Sequence, residues 1–436
     1  MPSLRRLAAW DILLPIVAVL AVAAYLVANL PALPHRAAVA ALAAAYVASM
    51  VWLSSRPRDV RLTVFVSQLA ALVGIYAAEI YASNRKYETS SLLGEASRLS
   101  AKGEKAWPAI PPSTWYGLFR ADIDAGRSPL PLAGLANVKS VLCIEELGWV
   151  HFHSDRFGFR NPPRATGDED YAVALIGDSF TQGTCVPDNH TMADHLRFAG
   201  TPTLNLGMHG SGPLFELGIL QEYAVRPHLR RIVWFFYEGN DMLELQRESR
   251  SPLLRRYLTD GAFQRLEERQ PEIDAAIKAG LAGRDDRFTW RDIARLKDLR
   301  AALGLQGIGE GGEPNPEVAP LLPLLGEVLS KARRLTEDKG ARFTLVYLPT
   351  PWRFNKGTSD ATYFPAMERA VTDLVCRANI DLLSMTRVIE RSPDPLALYA
   401  KAGSARGHFN AEGYRLTAGA VRARLAGQTQ SDCPAR

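Results

Sequence analysis

Cysteine is scarce in this chain, with four residues in 436, too few for a small disulfide scaffold. Glycine and proline are neither abundant nor periodic enough for a collagen-like chain. With 47% hydrophobic and 22% charged residues, the composition is not that of a disordered chain either. There is no internal repeat. An excess of one charge is also missing from most of the sequence. Residues 1–83 carry six basic and three acidic side chains, which leaves 45 against 43 in the remainder of a chain with a net charge of +5. A near-neutral body lacks the clustered basic face of a nucleic-acid binder, so no nucleic-acid partner is expected. At about 100–200 residues per domain, the length implies two or three units.

What the first eighty residues do have is apolar runs: Ile12–Leu30, Ala37–Leu53 and Leu62–Ala82. A helix needs about 20 apolar residues to cross the hydrocarbon core. Residues 1–83 therefore read as a membrane anchor with three transmembrane helices, at about 12–30, 37–53 and 62–82. A cleaved signal peptide, with Arg5 and Arg6 as its basic region, is the rival reading of the first run. Arg5 and Arg6 precede that run, and Arg56, Arg58 and Arg61 fill the loop between the second and third, whereas the first loop holds only Arg36. Lys and Arg mark cytoplasmic loops, and Trp10 and Trp52 stand where interface anchors belong. The N-terminus is then inside and everything after about residue 83 outside, on the periplasmic face of an inner membrane. All four cysteines, Cys143, Cys185, Cys376 and Cys433, fall in the external part, where disulfides persist. Three pairings are possible and the sequence does not choose among them. Cys143 with Cys185 and Cys376 with Cys433 is the preferred arrangement, with four free thiols as the alternative.

Residues 84–165 form an external approach segment, rich in Pro, Gly and aromatics, without a long helical period, and closing in the loop-like HSDRFGFRNPP. Beyond it, short apolar runs read as buried parallel strands: Tyr171–Ile176, Thr203–Leu206, Arg231–Tyr237, Arg342–Leu348 and Ile380–Ser384. Helical patterns separate them at about Met192–Phe198, Leu214–Tyr223, Phe364–Ala378 and Ala411–Leu425. Alternating strands and helices predict an α/β domain with a parallel sheet over residues 166–428. A charged helical insertion at about 241–315 interrupts it on the sheet's rim, and 429–436 is a polar tail.

Four short blocks follow predicted strands. GDSFTQG places Ser179 at a strand-to-helix turn, at the carboxyl edge where open α/β sheets hold their sites; taken alone, the serine reads equally as a helix N-cap. NLGMHGSGP holds Gly207, Gly210 and Gly212, which let backbone N–H groups approach a ligand, and His209, which reads as a turn residue. EGND puts Asn240 at a strand end, with Glu238 and Asp241 beside it. RGHFNAEGY carries His408 just before the last amphipathic helix. Ser179 as nucleophile, His408 as general base, and the N–H groups of Ser179 and Gly210 with the Asn240 amide as oxyanion donors make an acyl-transfer constellation.

This ordered set resembles the SGNH, or GDSL, hydrolase superfamily, with Ser179, Gly210, Asn240 and His408 on its four signature positions. The resemblance spans about residues 166–428. It implies a flavodoxin-like three-layer α/β/α sandwich and ester or acyl chemistry without metal or cofactor. The N-terminal spans, SDRFGFRNP and EGND are similar to membrane-anchored members associated with bacterial surface polysaccharide, which implies acetylated carbohydrate, or another small acyl ester, as the substrate and the lipid bilayer as a further partner. One position departs from the family. The acid usually found two or three residues before the histidine is replaced by Arg406 and Ala405. A carboxylate elsewhere, with Asp394 and Glu412 nearby in sequence, or a backbone carbonyl must then orient His408. The alternative is a protein that keeps the fold and binds or helps assemble surface polysaccharide without turning it over.

Overall fold

The computed structural model of the chain describes residues 10–29, 33–162, 171–224, 229–282, 284, 290–303, 315–354, 360–402 and 405–434. The chain divides into two compact units, residues 1–91 with 285–314, and residues 92–284 with 315–436.

The smaller unit holds the helices Trp10–Asn29, Leu33–Leu53 and Arg58–Ser90. Two stretches, Arg36–Leu53 and Arg58–Ser90, are long and apolar enough to cross a membrane; the apolar part of the first helix, Trp10–Ala24, is shorter. The third helix runs past the expected end at residue 82, because SNRKYETS contains neither Pro nor Gly to stop it. Its polar end serves a second purpose. The Glu79 carboxylate accepts the N–H groups of Asp298 (3.1 Å) and Leu299 (2.6 Å), capping the short helix Lys297–Ala302. Asp298 in turn accepts from Ser83 Oγ (2.8 Å) and Lys86 Nζ (2.7 Å). The charged stretch expected to form one rim insertion is thus split: residues 241–284 belong to the larger unit and 285–314 to this one.

The larger unit is built on a five-stranded sheet. Its strands are β4 (Val173–Ile176), β5 (Thr203–Asn205), β6 (Arg231–Tyr237), β7 (Arg342–Leu348) and β8 (Asp381–Ser384), in the order β5-β4-β6-β7-β8 with every pair parallel. Side chains alternate across the faces of a strand, and here both faces are buried. Val173, Leu175, Val233, Phe235, Val346 and Leu383 share one core with Met192, Leu196, Tyr414 and Val421 of the helices Met192–Phe198 and Ala411–Leu425. The alternate positions Ala174, Ile176, Ile232, Trp234, Phe236, Leu345 and Tyr347 are equally buried, and the helices Leu322–Glu337 and Asp360–Arg377 pack against β7 and β8. Burial on both sides is why these strands read in the sequence as unbroken apolar runs.

Residues 92–162 form short helices and a small sheet. The helices Leu92–Ala101 and Pro112–Asp124 accompany a three-stranded sheet of β1 (Ala106–Pro108), β2 (Lys139–Glu145) and β3 (Gly148–His153). The SDRFGFRNP block clips this sheet to the rest. Buried Asp155 accepts from the Phe157 and Phe159 N–H groups and from Asn161 Nδ2. Asn161 also pairs with the Asn205 backbone, donating to its carbonyl and accepting its N–H, both at 2.8 Å. Arg160 donates to the carbonyls of Gly183 (2.5 Å) and Val186 (2.8 Å). A hairpin of β9 (Tyr399–Ala402) and β10 (Ala405–Phe409) precedes the last helix.

Cys143 is joined to Cys185 and Cys376 to Cys433, the arrangement preferred from sequence. The second bridge holds the C-terminal tail against β8, where Asp432 N–H donates to Leu382 O (2.9 Å) and Asp432 Oδ2 accepts Ser384 N–H (2.7 Å). The tail therefore covers the backbone of an edge strand that would otherwise stand open.

Candidate active site

The chain leaves β4 through Gly177, whose φ of +152° belongs to glycine. A Cβ there would lie 2.2 Å from Thr181 Oγ1 and 3.1 Å from the Phe235 carbonyl. Asp178 caps the single helical turn Ser179–Gln182 by accepting the Phe180 N–H (2.9 Å). Gly183, at φ +79°, closes the turn and donates to Ser179 O (3.1 Å). Ser179 is thus the first residue of the turn and not its cap, with its hydroxyl 3.2 Å from Asp178 Oδ2. Asp178 is fully buried, and burial pushes its carboxyl above the ordinary aspartate range.

His408 arrives from β10, where the pairing with β9 shifts register between Arg406 and Phe409. Such irregularities re-aim side chains. His408 Nε2 lies 2.9 Å from Ser179 Oγ. Its ring packs against Phe180, with centroids 5.0 Å apart. The partner of its other nitrogen is the residue that the sequence left unassigned: Nδ1 lies 2.8 Å from Glu145 Oε1. Glu145 is the last residue of β2, 263 positions upstream in the approach segment. An ionised carboxylate only accepts, so Nδ1 carries the imidazole proton and the Nε2 lone pair faces the serine hydroxyl. Gly407 makes this possible, because a Cβ on it would lie 2.5 Å from Glu145 Oε1.

The carboxylates nearer in sequence are engaged elsewhere. Asp394 caps a turn by accepting the Leu396 N–H (3.1 Å), and Glu412 pairs with Arg415 (2.7 Å). Glu238 accepts from Tyr347 Oη (2.7 Å), Thr350 N–H (2.9 Å) and Arg353, fixing the loop after β7. Asp241 accepts the Tyr237 N–H (2.8 Å). Neither Asp394 nor Glu412 is the acid that orients His408, and no backbone carbonyl is needed for that purpose.

Gly210 and Asn240 follow β5 and β6, which flank β4 in the sheet, so both come to the carboxyl edge on either side of Ser179. Neighbouring strands lie about 4.8 Å apart, which keeps these three turns close together. Gly207 backs onto the nucleophile turn, since a Cβ there would lie 2.2 Å from Gln182 N. Gly210 has φ +68°, and a Cβ on it would strike Pro111 Cβ at 2.6 Å. The approach segment thus walls this side of the site. Asn240 precedes the helix Asp241–Glu248 but makes no side-chain capping bond to it, and its Oδ1 is buried without a hydrogen-bond partner among the described residues.

His209 is a scaffold residue. Its Nδ1 lies 3.0 Å from the Gln182 side-chain amide and its Nε2 3.1 Å from Ala109 O. Desolvation lowers it from 6.5 to about 4, so it stays neutral beside His408. Between these values the unfolded chain binds a proton that the folded chain does not. The stability owed to neutral His209 is therefore complete above about pH 6.5 and is lost as pH falls toward 4. Thermal melts across this range are expected to fall less steeply for His209→Gln than for the wild type. Parallel profiles would show that the ring does not carry this dependence.

Among the described residues, Glu145, Cys185 and His408 form the one group with donor atoms close enough, within 4.8 Å, to hold a metal ion. Cys185 Sγ is already in a disulfide with Cys143, and the other two residues are hydrogen-bonded to each other.

No family model and no curated protein matches the chain. Among solved structures, it is similar to a member of the lipolytic protein G-D-S-L family from Veillonella parvula DSM 2008. The identity is 14% over 58% of this chain and 97% of that one, with a TM-score of 0.34. A second solved structure, also at 14% identity, covers 61% of this chain and all of its own length at a TM-score of 0.31. Both likenesses are remote.

Proposed function

We propose that the larger unit is a serine esterase or acyl-transfer enzyme of the SGNH kind, with a flavodoxin-like three-layer α/β/α fold. The observation that carries this reading is the hydrogen-bonded series Glu145–His408–Ser179 at the carboxyl edge of a parallel sheet. Ser179 Oγ attacks the acyl carbonyl while its proton passes to His408 Nε2. Glu145 holds the imidazole in the right tautomer and stabilises the imidazolium. The N–H groups of Ser179 and Gly210 and the Asn240 amide receive the oxyanion; one such donor is typically worth about 10²–10³ in kcat. The proton then returns from Nε2 to the departing alcohol oxygen, leaving an acyl-serine. Water or a sugar hydroxyl, deprotonated by the same nitrogen, releases the acyl group as an acid or as a new ester.

The substrate in this reading is a small O-acyl group, acetyl above all, on cell-surface carbohydrate. The helices at the N-terminus hold the domain to the outer face of a bacterial inner membrane, and the two disulfides suit that compartment. The reading of the chain as a non-catalytic assembly protein rested on the acid missing before His408, and Glu145 removes that ground. One experiment tests the chemistry and its location together. A membrane-impermeant fluorophosphonate, added to intact spheroplasts of a bacterial host expressing the full chain, is expected to modify Ser179, as mapped by mass spectrometry. Modification only after lysis would place the domain inside. No modification of either preparation would remove the nucleophile from the proposal.

A further inference from the structure

We infer that the Cys143–Cys185 disulfide is a positioning device for Glu145, setting its carboxylate against His408. The inference rests on the esterase reading above and adds to it the part that holds the third member of the triad in place. Glu145 reaches the site from outside the sheet that carries Ser179. Among the described residues β2 pairs as a strand only with β1 and β3, so no strand pairing fixes its end relative to β4. Something else must hold it there. Cys143 stands two residues before Glu145 on β2, and residues i and i+2 of a strand point to the same face. A register shift between Val141 and Cys143 turns this end of the strand, after which the pairing runs regularly through Cys143–Val150 and Ile144–Trp149 to Glu145–Gly148. The side chain carrying the bridge and the side chain facing His408 are therefore neighbours on one face, their Cα atoms about 6.7 Å apart along the strand.

The other end of the bridge is equally well placed. Cys185 lies six residues after Ser179, just beyond the turn that Gly183 closes. Arg160 binds the carbonyls of Gly183 and Val186 on either side of it. The φ of Cys185 is +66°, a conformation that a residue other than glycine keeps only when its surroundings impose it. The bridge thus joins a fixed point on the nucleophile loop to the strand of the acid, with Cα atoms 5.6 Å apart. Beyond Glu145, the Lys401 N–H of the His408 hairpin donates to Glu146 Oε2 at 3.1 Å.

Misplacing a catalytic group by 1 Å can cost about 10²-fold, and this sets the expected effect. In the full-length protein, Cys143→Ala with Cys185→Ala should lower kcat on nitrophenyl acetate by about 10²-fold. In a Glu145→Gln background, where the acid is already gone, the same pair should cost less than about 2-fold, because groups acting as one unit are not additive. Cys376→Ala with Cys433→Ala serves as the control and should leave kcat within about 2-fold. A bridge that served stability alone would cost the same in both backgrounds, and that result, or no loss in either, overturns the inference. Should the double-alanine protein fail to fold, wild type and Glu145→Gln can instead be titrated with dithiothreitol. The dithiol passes two electrons and two protons to the bridge, leaving two cysteine thiols and a cyclic disulfide. Activity of the wild type should fall as the Cys143 and Cys185 thiols appear, while residual activity of Glu145→Gln should not; equal falls again overturn the tether. If Ser179→Ala retains activity, it is the esterase reading that fails instead.

Discussion

Purified Ser179→Ala protein is expected to lose about 10⁶ in kcat on nitrophenyl acetate. The serine is the first residue of a one-turn helix whose cap is the neighbouring Asp178. Alanine at this position keeps the cap, the glycine turn and the helix, so the melting temperature should hardly move. What disappears is the oxygen 2.9 Å from His408 Nε2. His408→Ala should be as severe, because neither residue attacks without the other. Combining the two should cost no more than either alone. Activity retained by folded Ser179→Ala would remove Ser179 as the nucleophile and end the serine-esterase reading.

Glu145→Gln should cost about 10⁴ in kcat, the penalty seen when the acid of a serine-protease triad becomes an amide. Glutamine fills the same space, but its NH₂ can face Nδ1. That arrangement favours the tautomer with the proton on Nε2, which then cannot accept from the serine. Asp394→Asn and Glu412→Gln, by contrast, should each remain within about 2-fold of wild type, since one caps a turn and the other pairs with Arg415. A steep fall in Glu412→Gln with Glu145→Gln nearly unaffected would move the acid back to the C-terminal helix.

The parts of this molecule readable from sequence are those in which local pattern and tertiary role agree. Arg231–Tyr237 and Arg342–Leu348 are buried on both faces, so their apolar runs mark the strands to the residue. The helix Met192–Phe198 announces itself through Thr191 and Asp194, a capping box in the structure. The blocks around Ser179, Gly210, Asn240 and His408 stand at strand ends, where glycine and turn chemistry are visible. Glu145 has no such marker. It ends a strand of a different sheet, and its role arises only when two hairpins with shifted registers meet. A signal was nevertheless present: pairing Cys143 with Cys185 brings the residues around position 145 to the loop after Ser179. The folding of residues 92–162 was hidden for a different reason. Its helices are short, β1 has three residues, and the SDRFGFRNP clip works through buried polar contacts that leave no periodicity. The docking of residues 297–302 under Glu79 likewise depends on a capping carboxylate more than 200 positions away.

The three residues of the proposed triad hang from three separate pieces of β-structure. Ser179 follows the five-stranded sheet, Glu145 ends a strand of the three-stranded one, and His408 lies on a two-stranded hairpin. Proteins open in cooperative parts whose free energies run from near zero to that of the whole molecule. Around the tip of the piece carrying the acid, Ile144 and Leu147 are exposed. Once the Cys143–Cys185 bridge is opened, this tip can move away from the site while the large sheet remains intact. Activity in such a molecule reports the docking of its weakest piece and not the integrity of its core, so a preparation can keep its secondary structure and still have lost its chemistry.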